Sequence, residues 1–219
     1  MDKSINALMT ALLLDGSERR LAGLTVTEDR LFGRLPPERL GEAVDFGLRA
    51  GQQAADRIIA ACGHDPGAIA AMLEVRIKHN PEPARGGAVV FFSEYSQKPP
   101  TITLHDHSLS EANEMIRSHG LKDLLHLDDV APVHLTHELY HHLEAKKSIT
   151  GTAGFRIETL KIGPIRLGSK LASVEEIAAD RFAMAVLQMK VPPKVLRFLT
   201  VYEHNRDYAW DLLERSQSL

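Results

Sequence analysis

The stretch His134-Leu135-Thr136-His137-Glu138-Leu139-Tyr140-His141-His142 holds four of the chain's 11 histidines. Within it, His137-Glu138-x-x-His141 has the H-E-x-x-H spacing. Residues four apart on a helix stand one above the other, so His137 and His141 can present two imidazole nitrogens to one point beside the helix. That is half of a tetrahedral zinc site. Glu138, one residue round, can flank the same point without being a ligand, where a carboxylate can take the proton of a metal-activated water. The chemistry this pattern suggests is metal-assisted hydrolysis. A His-rich, solvated helix that binds nothing would carry the same residues, so a third ligand has to come from elsewhere in the chain.

The segment Ser173-Val174-Glu175-Glu176-Ile177-Ala178-Ala179-Asp180-Arg181-Phe182-Ala183 offers one. Helical spacing puts Glu176 and Asp180 on one face, with Ala179 and Ala183 on or beside it, small enough to let another helix approach. Glu176 can complete a His2Glu set that leaves a fourth position to water. Asp180, one turn on, can accept the free ring N–H of a ligand histidine and fix its tautomer. Two alternatives stand beside this reading. Ser173-x-x-Glu176 is also a capping box, in which Glu176 folds back onto the Ser173 backbone; Glu175 is then the fallback ligand, about 100° round the helix. Alternatively, His134, His137 and His141 are the ligands and Glu176 is the cap.

The elements that must position these groups can be read in outline. Residues 3–14 have helical spacing, ended by Asp15-Gly16. Residues 16–36 are mixed and charged and are the least readable stretch. Leu40, Val44, Leu48, Ala55, Ile58, Ile59 and Cys62 recur at helical spacing before Gly63, with Gly47 and Gly51 as a place for a break. Asp65-Pro66 starts a short helix. Val75–Lys78, Ala88–Tyr95 and Thr101–Leu104 predict three strands of a small sheet, divided by Asn80-Pro81 and Arg85-Gly86-Gly87. Pro99-Pro100 makes Thr101–Leu104 the expected edge strand, able to pair with an extended peptide. A helix over Ser110–Ser118 precedes the H-E-x-x-H helix, which Asp128 and Asp129 can cap and in which Leu135, Leu139 and Leu143 form the buried stripe. Residues 148–172, with Gly163-Pro164 among several glycines, form a long connection, either a lid or substrate loop or an exposed hairpin. Two short helices over 192–216 carry Phe198, Leu199 and Trp210, expected as core.

Composition bounds the rest. The chain has 219 residues, 44% of them apolar, enough for a sizeable core. A net charge of −3 gives no reason to expect nucleic acid or an acidic membrane as partner. The single Cys62 excludes an internal disulfide and a cysteine cluster for metal. No apolar run approaches the length of a membrane span, and the Ala7–Leu14 run lacks the cleavage site of a secretion signal. The expected setting is the cytoplasm.

Together the two motifs resemble those of gluzincins, the thermolysin-like metallopeptidases, which pair an H-E-x-x-H helix with a later Glu-x-x-x-Asp helix. More closely, the chain resembles the ImmA/IrrE family of compact zinc peptidases, over roughly residues 40–195. The matching pieces are Thr101–Leu104, His137–His141 and Glu176-Ile177-Ala178-Ala179-Asp180-Arg181-Phe182-Ala183. The resemblance implies an α+β, mostly helical zincin-like domain over 40–219, with a small sheet of three or more strands whose edge strand borders the metal cleft, and an N-terminal extension over 1–39 of no readable role. It implies His137, His141 and Glu176 as Zn2+ ligands, Glu138 as general base and Asp180 as the outer partner of a ligand histidine. It also implies a peptide or protein substrate, a transcriptional repressor among the candidates. Tyr140 departs from the family, which often has Gly there, and the connection from His141 to Glu176 is long. A non-catalytic zinc-binding regulatory domain is the rival, though such a site has no need of a carboxylate between its histidines. Hydrolysis also asks for an oxyanion partner; Tyr202, His204, Arg156 and Arg166 are candidates, each equally explained as a surface or packing residue.

Overall fold

The computed structural model describes residues 3–14, 17–83, 85–86, 89–149, 151–162 and 165–218. The expected breaks at Asp15-Gly16, Gly87-Ala88 and Gly163-Pro164 and the side chain of Arg166 lie outside the described residues. In chain order the elements are α1 (Ile5–Leu12), α2 (Ser17–Thr27), two 3-10 turns (Phe32–Arg34 and Pro37–Arg39), α3 (Leu40–Cys62), α4 (Pro66–Met72), β1 (Arg76–Asn80), β2 (Arg85–Gly86), β3 (Val89–Val90), β4 (Ser93–Gln97), β5 (Pro100–His105), α5 (Asp106–Ser118), α6 (Lys122–Leu125), α7 (Ala131–Ala145), β6 (Ile157–Ile162), β7 (Ile165–Ser169), α8 (Ala172–Val186), α9 (Lys194–His204) and α10 (Arg206–Gln217). The chain is α+β and mostly helical, with a small mixed sheet in the order β1-β5-β4.

Several helices form where their caps dictate. Ser4 Oγ accepts the Ala7 N–H at the start of α1, and Asp65 Oδ1 accepts the Gly67 N–H, with Pro66 at the first position of α4. Helix α3 runs unbroken through Gly47 and Gly51, contrary to the expected break. The glycines instead mark where α8 lies against α3: a Cβ on Gly51 would stand 2.2 Å from the Ala178 carbonyl oxygen, and one on Gly47 2.8 Å from Ile177. The helix-propensity cost of both glycines is offset by backbone-close packing of the segment that carries Glu176.

Helix α2 lies in the stretch with the weakest sequence signal. Residues Leu21–Val26 are all buried, and a helix covered on most sides shows no apolar stripe to read. Ile5, Leu8, Met9, Leu12, Leu21 and Leu24 belong to the same buried cluster as Ile102, Leu139, Phe182 and Phe198. Residues set apart by sequence as an extension thus share one core with the rest. Ala22 and Val26 join a second cluster with Val44, Phe155, Ile157, Val174 and Ile177.

The sheet corrects two expectations. β5 is central, parallel to β1 and antiparallel to β4, so the edge strands are β1 and β4 and not Thr101–Leu104. Pro100 is tolerated because it is the first residue of β5, whose Ile102 and Leu104 are buried on one face of the sheet. The expected Ala88–Tyr95 strand is divided: Val89–Val90 pairs with β2, Phe91 and Phe92 intervene, and β4 begins at Ser93. α5 begins at Asp106 rather than Ser110, directly from the end of β5. Within 148–172, β6 and β7 form an antiparallel hairpin, anchored by buried Phe155 and Ile157. No helix among the described residues is long and apolar enough to cross a membrane.

Gly51→Ala is expected to destabilise the protein by about 1–3 kcal/mol net, the usual cost of overpacking, despite alanine's better helix propensity. Denaturant unfolding measures it; an unchanged midpoint would mean that α3 and α8 separate freely.

Candidate metal centre

Helix α7 is anchored at its start by a side-chain relay. Asp129 Oδ1 accepts the Ala131 N–H at 3.0 Å and the Asn113 amide at 2.9 Å, while Asn113 Oδ1 accepts the Val130 N–H at 3.0 Å. Leu135, Leu139 and Leu143 are buried, so the stripe faces the core as its spacing requires. Tyr140 is also fully buried and packs on Phe182 of α8, with ring centroids 5.8 Å apart. Its bulk therefore fills the α7–α8 interface.

Helix α8 begins at Ala172, and Ser173 is already inside it, so no capping box forms. The Ser173 N–H is satisfied from far away, by Asp29 Oδ2 at 2.8 Å. Glu176 is thereby released from the helix end and reaches toward α7.

Three side chains converge there. His137 Nε2 and His141 Nε2 lie 3.1 Å apart. Glu176 Oε2 is 3.3 Å from His137 Nε2, and its Oε1 is 3.6 Å from His141 Nε2. A tetrahedral ion bonded at about 2.0–2.1 Å has donor–donor edges of about 3.3–3.4 Å, and the two imidazole nitrogens and the Glu176 carboxylate, which turns one oxygen to each of them, lie near that separation. This group can hold a metal ion.

The outer partners fix the tautomers. His137 Nδ1 donates to Asp180 Oδ1 at 2.9 Å, and His141 Nδ1 donates to Glu175 Oε1 at 3.0 Å. A carboxylate can only accept, so each Nδ1 carries a proton and each Nε2 is left to face the other. Two unprotonated Nε2 atoms beside a carboxylate would repel, so positive charge, a proton or a metal ion, belongs between them. The local field calls for it: burial works against a charged His137, yet hydrogen bonds and charge from Asp180 and Glu176 hold its pKa well above the ordinary value. Burial likewise opposes ionisation of Glu176, and His137 outweighs it, bringing the carboxyl down to about 2.

Glu138 stays outside the ligand group. Its Oε1 accepts the Ser93 hydroxyl at 2.8 Å, at the start of the edge strand β4. His134 also stays outside: it stacks on Phe92 with centroids 4.5 Å apart, and its Nε2 is buried without a hydrogen-bond partner. Burial and the charge of His137 hold its pKa down to about 3. Glu175, the fallback ligand of the sequence reading, sits on His141 Nδ1 instead.

His137, Glu138 and Glu176 open onto a cleft of about 670 Å³. Val90, Phe91, Phe92 and Ser93 form its sheet side; Lys194, Arg197, Thr200, Val201 and His204 of α9 face them. Of the four oxyanion candidates, His204 lines this cleft, its Nδ1–H donating to the Thr200 carbonyl. Tyr202 is buried and donates to the Lys3 carbonyl. Arg156 donates to the Gly168 carbonyl within the β6–β7 hairpin, and no described residue of 148–172 lines the cleft. Ser93, Lys194 and Arg197 carried no sequence signal, being ordinary residues of a strand end and a short helix. The pairing of Glu175 with His141 had one: a second ligand histidine needs its own acceptor, and a helix running opposite to α7 offers Asp180 and Glu175 about a turn apart.

No protein-family model, curated protein or solved structure matches the chain.

Glu176→Gln is expected to lower metal affinity strongly in competitive chelator titration, Asp180→Asn and Glu175→Gln by about 10–100-fold, and His134→Ala not at all; loss of metal from His134→Ala would move the third ligand to that histidine. His134 also gives a pH signature. The unfolded chain protonates it near 6.5 but the folded chain only near 3, so stability falls as pH drops through this window. His134→Phe removes that contribution, at most about 2 kcal/mol between pH 7 and pH 5, and its unfolding free energy should vary less with pH than that of the parent.

Proposed function

We propose that the chain is a zinc-dependent peptidase acting in the cytoplasm. The observation that carries this reading is the position of Glu138: a carboxylate next to, but outside, a converged His137/His141/Glu176 group, at the wall of a cleft with an apolar side. The donor set fits zinc, with two imidazole nitrogens and one carboxylate close together beside an open cleft. Zinc held there supplies a Lewis acid that polarises a substrate carbonyl and lowers the pKa of a water molecule to about 7.

The chain's own residues do the rest. Glu138 takes the proton from the attacking water, and as the C–N bond breaks it passes that proton to the leaving amine. The Ser93 hydroxyl holds Glu138 Oε1, which leaves the other oxygen to carry the proton. Asp180 and Glu175 keep both imidazoles oriented and their Nε2 atoms basic. Phe91 and Phe92 offer apolar surface to substrate side chains, and Phe91 is 46% exposed. The resemblance to ImmA/IrrE peptidases adds the class of target, a regulatory protein such as a transcriptional repressor.

Glu138→Gln is the decisive variant. It should retain metal at the wild-type level and lose peptide hydrolysis by at least about 100-fold, the usual contribution of a positioned general base. The readout is cleavage of a proteome-derived peptide library by the zinc-loaded protein. No cleavage by wild type, or equal cleavage by both, would favour a non-catalytic metal-binding domain.

A further inference from the structure

The face of α9 opposite Glu138 is charged in an unbalanced way. Lys194 Nζ donates to Glu28 Oε2 at 2.9 Å, and Arg197 Nη1 donates to the same oxygen. Two cations thus share one carboxylate, and no other ion pair is found for either among the described residues. Both stand in the first turn of α9, where the helix dipole is already positive and cations are disfavoured. Lys194 is largely covered, but Arg197 is 42% exposed at the cleft wall. A divalent cation at the candidate centre would meet the carboxylates of Glu175, Glu176 and Asp180, with Glu138 beside them. That side of the cleft is then net negative, and the Lys194–Arg197–Glu28 group keeps one excess positive charge.

We infer that the Lys194–Arg197 pair, braced by Glu28, is a subsite for a carboxylate of the peptide substrate. This rests on the peptidase reading and narrows it to a substrate class. The guanidinium of Arg197 is the group that meets the ligand, since it is exposed and its planar fork suits a carboxylate. Lys194 and Glu28 are positioning residues: Lys194 contributes charge from beneath, and Glu28 holds both side chains at the wall. The carboxylate has two sources, an Asp or Glu side chain or the free C-terminus of the chain being cut. Phe91 and Phe92 on the opposite side take an apolar side chain of the same peptide.

Binding to the zinc-loaded full-length Glu138→Gln variant tests this without turnover. Short N-acetylated Phe-rich peptides of one sequence are compared as the free acid, as the C-terminal amide, and as the amide with one Gln changed to Glu. At least one carboxylate-bearing form should bind about tenfold or more tighter than the neutral amide. The favoured form identifies the source of the carboxylate. Adding Arg197→Gln should abolish the preference, and Arg197→Lys should restore part of it, which separates a charge effect from misfolding. Binding of all three forms with equal affinity would overturn the carboxylate subsite and leave the peptidase reading standing. A preference that survives Arg197→Gln would place the recognition elsewhere and overturn it too. Binding of none would overturn both.

Discussion

Everything at the candidate centre depends on how closely α7 and α8 can lie together. The ligands come from both helices, and donor atoms must approach to about the edge of a coordination tetrahedron. Side chains as short as Glu and His reach that separation only if the helix axes are held close. Ala178, Ala179 and Ala183 are fully buried on α8, and Gly47 and Gly51 let the same helix lie directly against α3 on its other side. Tyr140 and Phe182 fill the space that remains between α7 and α8. Small residues set the distance, and two large rings keep the helices from sliding.

The second constraint is electrostatic. Asp180 and Glu175 hold one ring nitrogen of each histidine, so the other two can only face inward. The result is a partly buried cluster rich in lone pairs and negative charge, a state that is costly unless a cation completes it. A structural histidine would be arranged differently, as its neighbours on the same helix show. His142 uses its Nδ1 with the Tyr95 hydroxyl at 2.9 Å, and His134 is kept neutral against Phe92. Four histidines of one short stretch thus have three different roles, set by what each turn of α7 happens to face.

The N-terminal segment belongs to this arrangement. Asp29 satisfies the start of α8, Glu28 orients two cations of α9, and Glu18 binds Arg181, the residue next to Asp180. Thr25 lines the cleft. A stretch without any motif therefore stabilises the helix that carries the third ligand and shapes the opposite wall. Its acidic side chains each act across more than a hundred residues of sequence, where no local pattern can reveal the partner.

What the sequence determined by itself was whatever depends on spacing along one element. H-E-x-x-H and Glu-x-x-x-Asp each define a helix face, the leucine stripe defines the buried side of α7, and Asp65-Pro66 defines a helix start. These follow from the fixed period of the helix and the chemistry of its ends. Only the tertiary structure decided between Glu176 as cap and Glu176 as partner of the histidines, because Asp29, remote in sequence, took over the N–H at Ser173. Only the tertiary structure placed β5 in the middle of the sheet, since a proline at the first position of a strand is tolerated in a central strand as well as at an edge. Glycines in α3 read as weak points until α8 was laid against them. Such outcomes depend on which surfaces meet across the fold, and a one-dimensional period carries no information about that.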